Sequence, residues 1–141
     1  KVQVNIEPIT LFIASKESNF NKQLPTNMIE QYVHSKFTGQ EVKIVDNMAA
    51  SDYIIEMDAN TSEDISNDVL VKNFKLNLAQ LTVNVSLKNK AGEVLYKSLV
   101  NEVYGYANSA EKAGINAYSN NKLKARLSES LFFVKRKMII Y

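Results

Sequence analysis

The sequence predicts an α+β fold, with a mainly antiparallel sheet of four to five strands packed by an early helix and a long C-terminal helix. Two features carry this prediction. A long hairpin of alternating apolar residues occupies residues 74–106 and turns at residues 89–92. A helical pattern follows at once from Asn108. The length of 141 residues favours one domain, spanning residues 1–141.

Composition narrows the classes of function. Cysteine is absent, which excludes disulfides and thiolate metal sites. The formal charge is only +2, and Arg126 and Arg136 are the sole arginines, so we expect no nucleic-acid partner. No apolar run approaches the ~20 residues of a membrane helix. The chain begins at Lys1 without a secretory segment, so we expect a mature or trimmed chain, with any signal peptide or lipid tether outside this sequence.

The first third of the chain predicts a strand, a loop and a helix. Apolar residues alternate over residues 2–14 and shift phase by one at Pro8, as at a bulge or an edge position. The polar residues 15–23 predict a loop. A stripe of apolar residues then predicts a helix over 26–38, with Gly39 as its C′ residue.

Two further strands precede the long hairpin. Residues 42–45 predict a short strand, and alternation over 52–58 predicts a second one with Tyr53, Ile55 and Met57 on one face. The acidic residues 60–68 have no period, so they predict an exposed, mobile loop.

The hairpin and the final helix each contain an irregularity. The apolar phase of the first hairpin strand changes, which predicts a β-bulge near Ala79-Gln80. Gly92 is expected to take positive φ in the turn. Asn108 and Glu111, three residues apart, match a capping box at the start of the helix. The polar residues 120–122 predict a kink or a break into two helices.

Candidates for catalysis or metal binding are few. We interpret His34, the single histidine, as a surface or half-buried helix residue, since it has no partner ligands for zinc. The acidic residues 60–68 lack the glycine and the ligand spacing of a calcium loop. Four further carboxylates are interpreted as the wet face of a sheet rather than a catalytic pair: Asp46, Asp52, Glu56 and Asp58. We therefore expect no enzyme, no catalytic residue, no metal and no cofactor.

Two features are candidates for partner contact. Two tyrosines flank Gly105, where they either pack across strands or present an exposed aromatic surface. The only basic run either complements the helix dipole or binds an acidic partner or anionic lipid headgroups. We predict these five residues as partner contacts: Tyr104, Tyr106, Lys135, Arg136 and Lys137.

Three segments support a family resemblance. Residues 51–55 (SDYII), the hairpin turn at 89–94 (NKAGEV), and residues 104–106 (YGY) with the small residues of the following helix resemble a group of bacterial envelope modules. The group includes the amino-terminal domain of TolB, the LpoB activator of penicillin-binding proteins, the curli-secretion lipoprotein and FlgT-like flagellar proteins. The resemblance covers about residues 42–134 and contains no catalytic motif.

The resemblance implies a non-enzymatic, periplasm-facing module that binds or assembles with an unidentified envelope protein. It further implies a cell-envelope protein, periplasmic or outer-membrane-associated, that is often lipid-tethered. An alternative from another class is a small-ligand-binding or enzymatic domain of the cystatin or NTF2-like kind, with a pocket in a curved sheet. An enclosed apolar pocket with converging polar groups favours the alternative, whereas a filled core with an exposed patch favours the interaction module.

Overall fold

The computed structural model describes residues 7–37, 39, 41–64 and 69–138. The described residues form six strands: β1 (Ile9–Asn19), β2 (Lys22–Gln23), β3 (Val42–Ile44), β4 (Tyr53–Glu63), β5 (Asn77–Asn89) and β6 (Val94–Ala107). They also form four α-helices: α1 (Met28–Ser35), α2 (Val69–Phe74), α3 (Ala110–Tyr118) and α4 (Asn121–Lys137). A short 3₁₀ turn, Met48–Ala50, precedes β4.

One sheet contains these strands in the order β2-β1-β4-β5-β6, with β3 also paired to β1. β1 lies parallel to β3 and β4, whereas β4, β5 and β6 are joined antiparallel. The predicted α+β class with a mostly antiparallel sheet is confirmed. The strand beyond the predicted four to five is the two-residue β2, which is too short to leave a periodic pattern in the sequence.

The two faces of the sheet have different surroundings. Leu11, Ile55 and Val83 are fully buried on one face, in a single core with the apolar residues of α1, α3 and α4. Alternate residues of the same strands point to the opposite face. Lys16 and Asp58 are exposed there. The helices therefore cover one face of the sheet and leave a polar face.

β1 extends beyond its predicted end. The strand continues through residues 15–19, and Phe20 and Asn21, with φ of 49° and 68°, turn the chain back into β2. Two consecutive positive φ values are typical of a tight two-residue hairpin. The loop predicted over 15–23 is therefore wrong, because several polar side chains of this segment are buried and hydrogen-bonded instead of solvated.

The elements on either side of β1 also differ from prediction. β1 begins one residue after Pro8, so Pro8 precedes the strand rather than forming a bulge within it. The predicted alternation over residues 2–6 lies outside the described residues. α1 is shorter than its predicted range and ends with Lys36 as its C-cap. Gly39 is therefore not the C′ residue.

β4 is longer than predicted. Its residues 60–63 continue the ladder and pair with β5 at Gln80 and Ala79, among others. Thr61 is buried within this segment. The predicted loop over 60–68 is wrong for these residues, because polar strand residues can satisfy their backbone in the ladder and their side chains in local hydrogen bonds. Residues 65–68 lie outside the described residues.

The bulge of the hairpin lies on the partner strand. β5 pairs with β4 without interruption through Ala79 and Gln80, so the bulge predicted there is wrong. The β5–β6 ladder instead shifts register twice, once between Leu81 and Val83 and once at the end of β5. The extra residues lie on β6, where Glu102 has a φ of 58°. Of the residues that suggested the earlier phase, Phe74 lies in α2 and Leu76 precedes β5, whereas Leu78 is a buried residue of the strand.

The C-terminal helix is broken into two helices, which is one of the two outcomes that the sequence predicted. α3 ends at Tyr118, and Asn120 caps α4 by accepting a hydrogen bond from the backbone N–H of Lys122 at 3.0 Å. The N-cap of α3 is Ser109, not Asn108, because its hydroxyl accepts from the backbone of Lys112. The polar residues at 120–122 therefore end one helix and start the next.

Glycine allows α3 to lie directly on the sheet. A Cβ on Gly105 of β6 would overlap the carbonyl oxygen of Ala113 and the amide nitrogen of Ala117. A Cβ on Gly114 of α3 would overlap the side chain of Asn19 in β1. The small-residue face of α3 therefore allows the helix backbone to pack closely against the strands. Gly92 has the expected positive φ, 86°, in the hairpin turn.

Candidate functional site

The predicted histidine and carboxylate candidates are scattered. His34 is exposed on α1, as expected. Glu56 forms an ion pair with Lys88 at 3.1 Å on the polar face of the sheet. Within the described ranges, no group of three or more histidine, aspartate or glutamate side chains is placed to hold a metal ion. These residues therefore form no common centre.

Asp52 has a local structural contact with β1. Its Oδ2 accepts hydrogen bonds from the backbone N–H and the hydroxyl of Thr10, both at 3.0 Å. These two bonds, the backbone one foremost, hold the pKa of the Asp52 carboxyl below its ordinary value of 3.8. The contact joins the start of β4 to β1. Both hydrogen bonds are accepted by the same oxygen, Oδ2, so the carboxylate stabilises this local connection.

Glu17 is a fully buried carboxylate that the sequence did not single out. Its oxygens accept from the backbone N–H groups of Ile29 at 2.7 Å and Glu30 at 3.0 Å, and from the hydroxyl of Ser15 at 2.7 Å. The side chain therefore caps the first turn of α1 from β1, where the helix presents unpaired N–H groups and the positive end of its dipole. Each oxygen is occupied, so the carboxylate is structural.

Tyr118 and Asn19 extend this buried polar cluster. The Tyr118 hydroxyl donates to the carbonyl of Ser18 at 2.7 Å, and the Asn19 amide donates to the carbonyl of Glu111 at 3.0 Å. Burial first, and then the negative charge of Glu17, raise the pKa of Tyr118 above its ordinary value of 10.0. The hydroxyl therefore stays protonated as a donor, and the cluster fixes α1 and α3 to β1.

The predicted tyrosine contacts lie beside the start of α4. Because Gly105 faces α3, the side chains of Tyr104 and Tyr106 point to the opposite face of the sheet, and both are half-buried. Their backbone carbonyls accept from the side-chain amides of Asn120 and Asn116, each at 2.8 Å. These bonds fasten the last part of β6 to both C-terminal helices.

The predicted basic contacts lie at the far end of α4. The ammonium of Lys135 sits 5.1 Å from the centre of the Phe37 ring, and the guanidinium of Arg136 sits 5.8 Å from that of Phe132. Lys137 is exposed. At 1.5 Å per residue, sixteen residues of helix separate this end from Asn120 by about 24 Å. The structure therefore does not join the tyrosines and the basic run into one surface, and each remains a separate prediction.

Exposed apolar side chains concentrate on β6 and α4. Seven large apolar side chains of the described residues are exposed, and four of them lie on these two elements: Val94, Leu99, Phe132 and Phe133. Phe133 stacks on Tyr96 of β6 with ring centres 6.1 Å apart and meets Phe132 edge-on at 5.5 Å. A contiguous apolar surface of this kind commonly marks an interaction site.

A groove separates the β6 edge from α4. We call it the β6–α4 groove; it has a volume of about 170 Å³ and is lined by Tyr96, Ser98, Leu99, Val100, Arg126, Glu129, Ser130 and Phe133. Arg126 pairs with Glu102 at 3.4 Å through Nη2. Among the buried side-chain nitrogen and oxygen atoms of the described residues, its Nε alone has no hydrogen-bond partner. Burying an unpaired donor is costly.

The groove was not predicted from the sequence, although two adjacent aromatic residues of α4 give a local indication of it. Phe132 and Phe133 flank the apolar stripe of the last helix, and at 100° per residue neither continues it. Two adjacent aromatics off the core stripe predict an exposed aromatic surface. The position of Tyr96 beside Phe133 depends on the antiparallel packing of α4 against β6, which no local pattern reveals.

A larger depression lies on the polar face of the sheet. It has a volume of about 600 Å³, and its lining includes Lys16, Glu56, Asp58 and Lys97. Three of these four side chains are exposed. Such an open, charged surface differs from the enclosed apolar pocket that a cystatin- or NTF2-like ligand site requires.

Comparisons with known proteins bear on the fold. No protein-family model matches the sequence, and no curated protein sequence matches it significantly. The structure is similar to that of a Helicobacter pylori protein described as a homolog of the neuraminyllactose-binding hemagglutinin, with a TM-score of 0.52 and 12% identity over 94% of this chain and 86% of that one. Identity at this level establishes a shared fold and leaves activity open.

Bacterial lipoproteins also occur among the similar structures. A lipoprotein from Neisseria meningitidis matches 87% of this chain and 100% of its own, with 10% identity and a TM-score of 0.43. A Caulobacter crescentus protein described as a lipoprotein matches 88% of this chain and 91% of its own, with 11% identity and a TM-score of 0.43.

In the part of the chain that the structure describes, each helix is too short or too polar to span a bilayer.

Proposed function

We propose that this chain is a non-enzymatic interaction module of a bacterial envelope protein, and that the β6–α4 groove binds an extended segment of a partner protein. The observation that carries the proposal is the groove itself, in which the exposed aromatic side chain of Phe133 lies beside a terminal strand. The periplasm-facing location and the lipid tether follow from the sequence resemblance, within the TolB, LpoB, curli-secretion and FlgT-like group.

The edge of β6 suits the addition of a strand. Within the described residues, β5 is the only strand that pairs with β6, so the other edge of β6 presents its backbone groups outward. Residues 96–100 pair regularly with β5 between the two register shifts. An extended segment of about five residues matches this length, and main-chain hydrogen bonds supply its affinity.

The walls of the groove give the segment its side-chain contacts. Tyr96 and Phe133 provide aromatic surface, and Arg126 and Glu129 provide charged groups that can bond to polar groups of the partner. The two register shifts limit pairing to a short stretch, as in natural sheets whose edges resist uncontrolled aggregation. This combination favours a specific strand over indiscriminate edge pairing.

Loss of partner capture in a groove variant tests the proposal. The Phe133→Ser variant removes the aromatic wall that α4 contributes to the groove, and Phe74→Ser removes a phenylalanine that is 66% exposed on α2. Each tagged protein is incubated with solubilised envelope from the bacterium that produces it, and bound proteins are quantified. We expect one partner to be retained by wild type and Phe74→Ser and lost from the groove variant. Equal retention by all three proteins contradicts the groove assignment.

The absence of catalysis is part of the same proposal. The buried ionisable groups of the described residues, Glu17 and Tyr118, are engaged in structural hydrogen bonds. The Ser15 hydroxyl beside Glu17 donates to that carboxylate at 2.7 Å, and both carboxylate oxygens also accept from backbone N–H groups of α1. The purified chain is assayed with ester, glycoside and phosphate substrates. Turnover of any of them would contradict the proposal if mutation of polar residues in the sheet depression abolished that turnover.

A further inference from the structure

The basic charge of this chain is concentrated on one helix. α4 contains one acidic residue, Glu129, and six basic residues: Lys122, Lys124, Arg126, Lys135, Arg136 and Lys137. The rest of the chain contains 11 basic and 14 acidic residues, since the totals are 17 and 15. α4 therefore has a formal charge of +5, and the rest of the chain has a formal charge of −3. Such asymmetry points to an anionic partner at α4.

The outer surface of α4 is broad and has cations on both sides. Leu123, Leu127, Leu131 and Val134 are buried, which fixes the core-facing stripe of the helix. Phe132 and Arg136 lie on the opposite side at 100° per residue, and Phe132 is 57% exposed. Lys124 and Lys135 lie toward α1, near the rings of Tyr32 and Phe37. Lys122 and Lys137 occupy the other flank.

We propose that the outer surface of α4 rests on an anionic phospholipid surface. Lysine and arginine at the two flanks can reach headgroup phosphates, while Phe132 enters the boundary between headgroups and acyl chains. The outer surface of α4 adjoins the β6–α4 groove where the rings of Phe132 and Phe133 meet, and the proposal does not depend on a protein partner.

Two other occupants fit this surface less well. A second copy of the chain would bring two helices of charge +5 together, and like charges oppose that contact. An acidic protein would need carboxylates placed opposite cations that are spread along a helix of about 25 Å. A fluid layer of phosphates supplies acceptors along the whole length without a matched geometry.

Vesicle binding tests the proposal. The purified chain is co-sedimented with vesicles of phosphatidylglycerol and phosphatidylethanolamine, and with phosphatidylcholine vesicles, at low and high salt. We expect binding to the anionic vesicles alone, and its loss at high salt, where charges are screened. Arg136→Glu/Lys137→Glu should weaken binding by roughly tenfold or more, because each basic residue near an anionic surface contributes substantially. Phe132→Ser should weaken it by several-fold.

Matched controls separate the helix from net charge. Lys16→Glu/Lys97→Glu makes the same change in charge on the polar face of the sheet, where both lysines are exposed. Phe74→Ser removes an exposed phenylalanine from α2. We expect both controls to bind as wild type does. The proposal is overturned if wild type fails to bind anionic vesicles at low salt, if the two double variants weaken binding equally, or if Phe132→Ser binds unchanged.

Discussion

The two ends of the helical layer depart from the usual distribution of polar and apolar residues in opposite ways. Around Glu17, polar side chains are buried, and around Phe133, apolar side chains are exposed. The polar cluster is satisfied internally, since the Glu17 carboxylate, the Tyr118 hydroxyl and the Asn19 amide all have partners. The apolar surface is not, since its groove contains an unpaired Arg126 Nε. Buried polar groups that have partners stabilise the fold, whereas exposed apolar side chains remain accessible to a partner.

The largest expected effect comes from the carboxylate of the buried cluster. Glu17→Ala leaves the backbone N–H groups of Ile29 and Glu30 without an acceptor at the first turn of α1. We expect a loss of about 3 kcal/mol in the free energy of unfolding, measured by urea denaturation. Glu17→Gln keeps one acceptor oxygen and should lose about half as much. A loss below about 1 kcal/mol for the alanine variant contradicts the structural assignment of Glu17.

The second effect concerns the glycine beneath the same cluster. Gly114→Ala places a methyl group on the Asn19 side chain and forces it from its hydrogen bonds, so we expect a loss of about 2 kcal/mol. Gly39→Ala is the matched control, because its Cβ would meet only the flexible Glu41 side chain, at 3.7 Å. The control should change stability by less than about 0.5 kcal/mol. Equal stability of the two variants contradicts the close packing of α3 on β1.

The third effect depends on pH. The folded-state pKa of Tyr118 is raised above its ordinary 10.0, so its contribution to stability is fully present below pH 10 and is lost as pH rises toward the folded pKa. Tyr118→Phe removes the hydrogen bond to Ser18 and should cost about 1 kcal/mol at neutral pH. The variant should also show a smaller decline in melting temperature above pH 10. Identical alkaline profiles contradict the burial of this hydroxyl.

The smallest effect on stability is expected in the exposed region. Phe133→Ser removes a side chain that is 49% exposed and stacks on Tyr96, so the free energy of unfolding should fall by no more than about 1 kcal/mol. Capture of the partner should nevertheless fall. A loss of stability comparable with that of Glu17→Ala would place Phe133 in the core and remove the contrast between the two regions.

Local patterns predicted much of the sheet and the helices. The α+β class, the hairpin turn with positive φ at Gly92 and the interruption near Asn120 all follow from periodicity and from residues with special backbone preferences. The errors occurred where polar residues lie in strands. Residues 15–19 and 60–63 lack apolar alternation because their side chains bond to one another and to α1 or α3 across the fold.

The candidate site was less predictable than the fold. Residue type alone suggested Tyr104, Tyr106 and the run at 135–137. The structure places the two tyrosines beside Asn120, and the basic run lies about 24 Å from Asn120 along α4. The groove requires Tyr96 to meet Phe133, and these two residues are more than thirty positions apart in the chain. Contact between them depends on how α4 packs along β6. Tertiary packing, and not local sequence, assembles this surface.

Site-specific photo-cross-linking tests the central claim most directly. A photoreactive amino acid is placed at Leu99, on the edge strand β6 beside the β6–α4 groove, or at Phe74 of α2, whose side chain is likewise more than half exposed. Each protein is irradiated in the native envelope, and the products are separated by mass. The account predicts one discrete heavier product from position 99, lost when Arg126→Ala is added, and none from position 74. The same product from both positions, or none from position 99, contradicts the β6–α4 groove as the partner site.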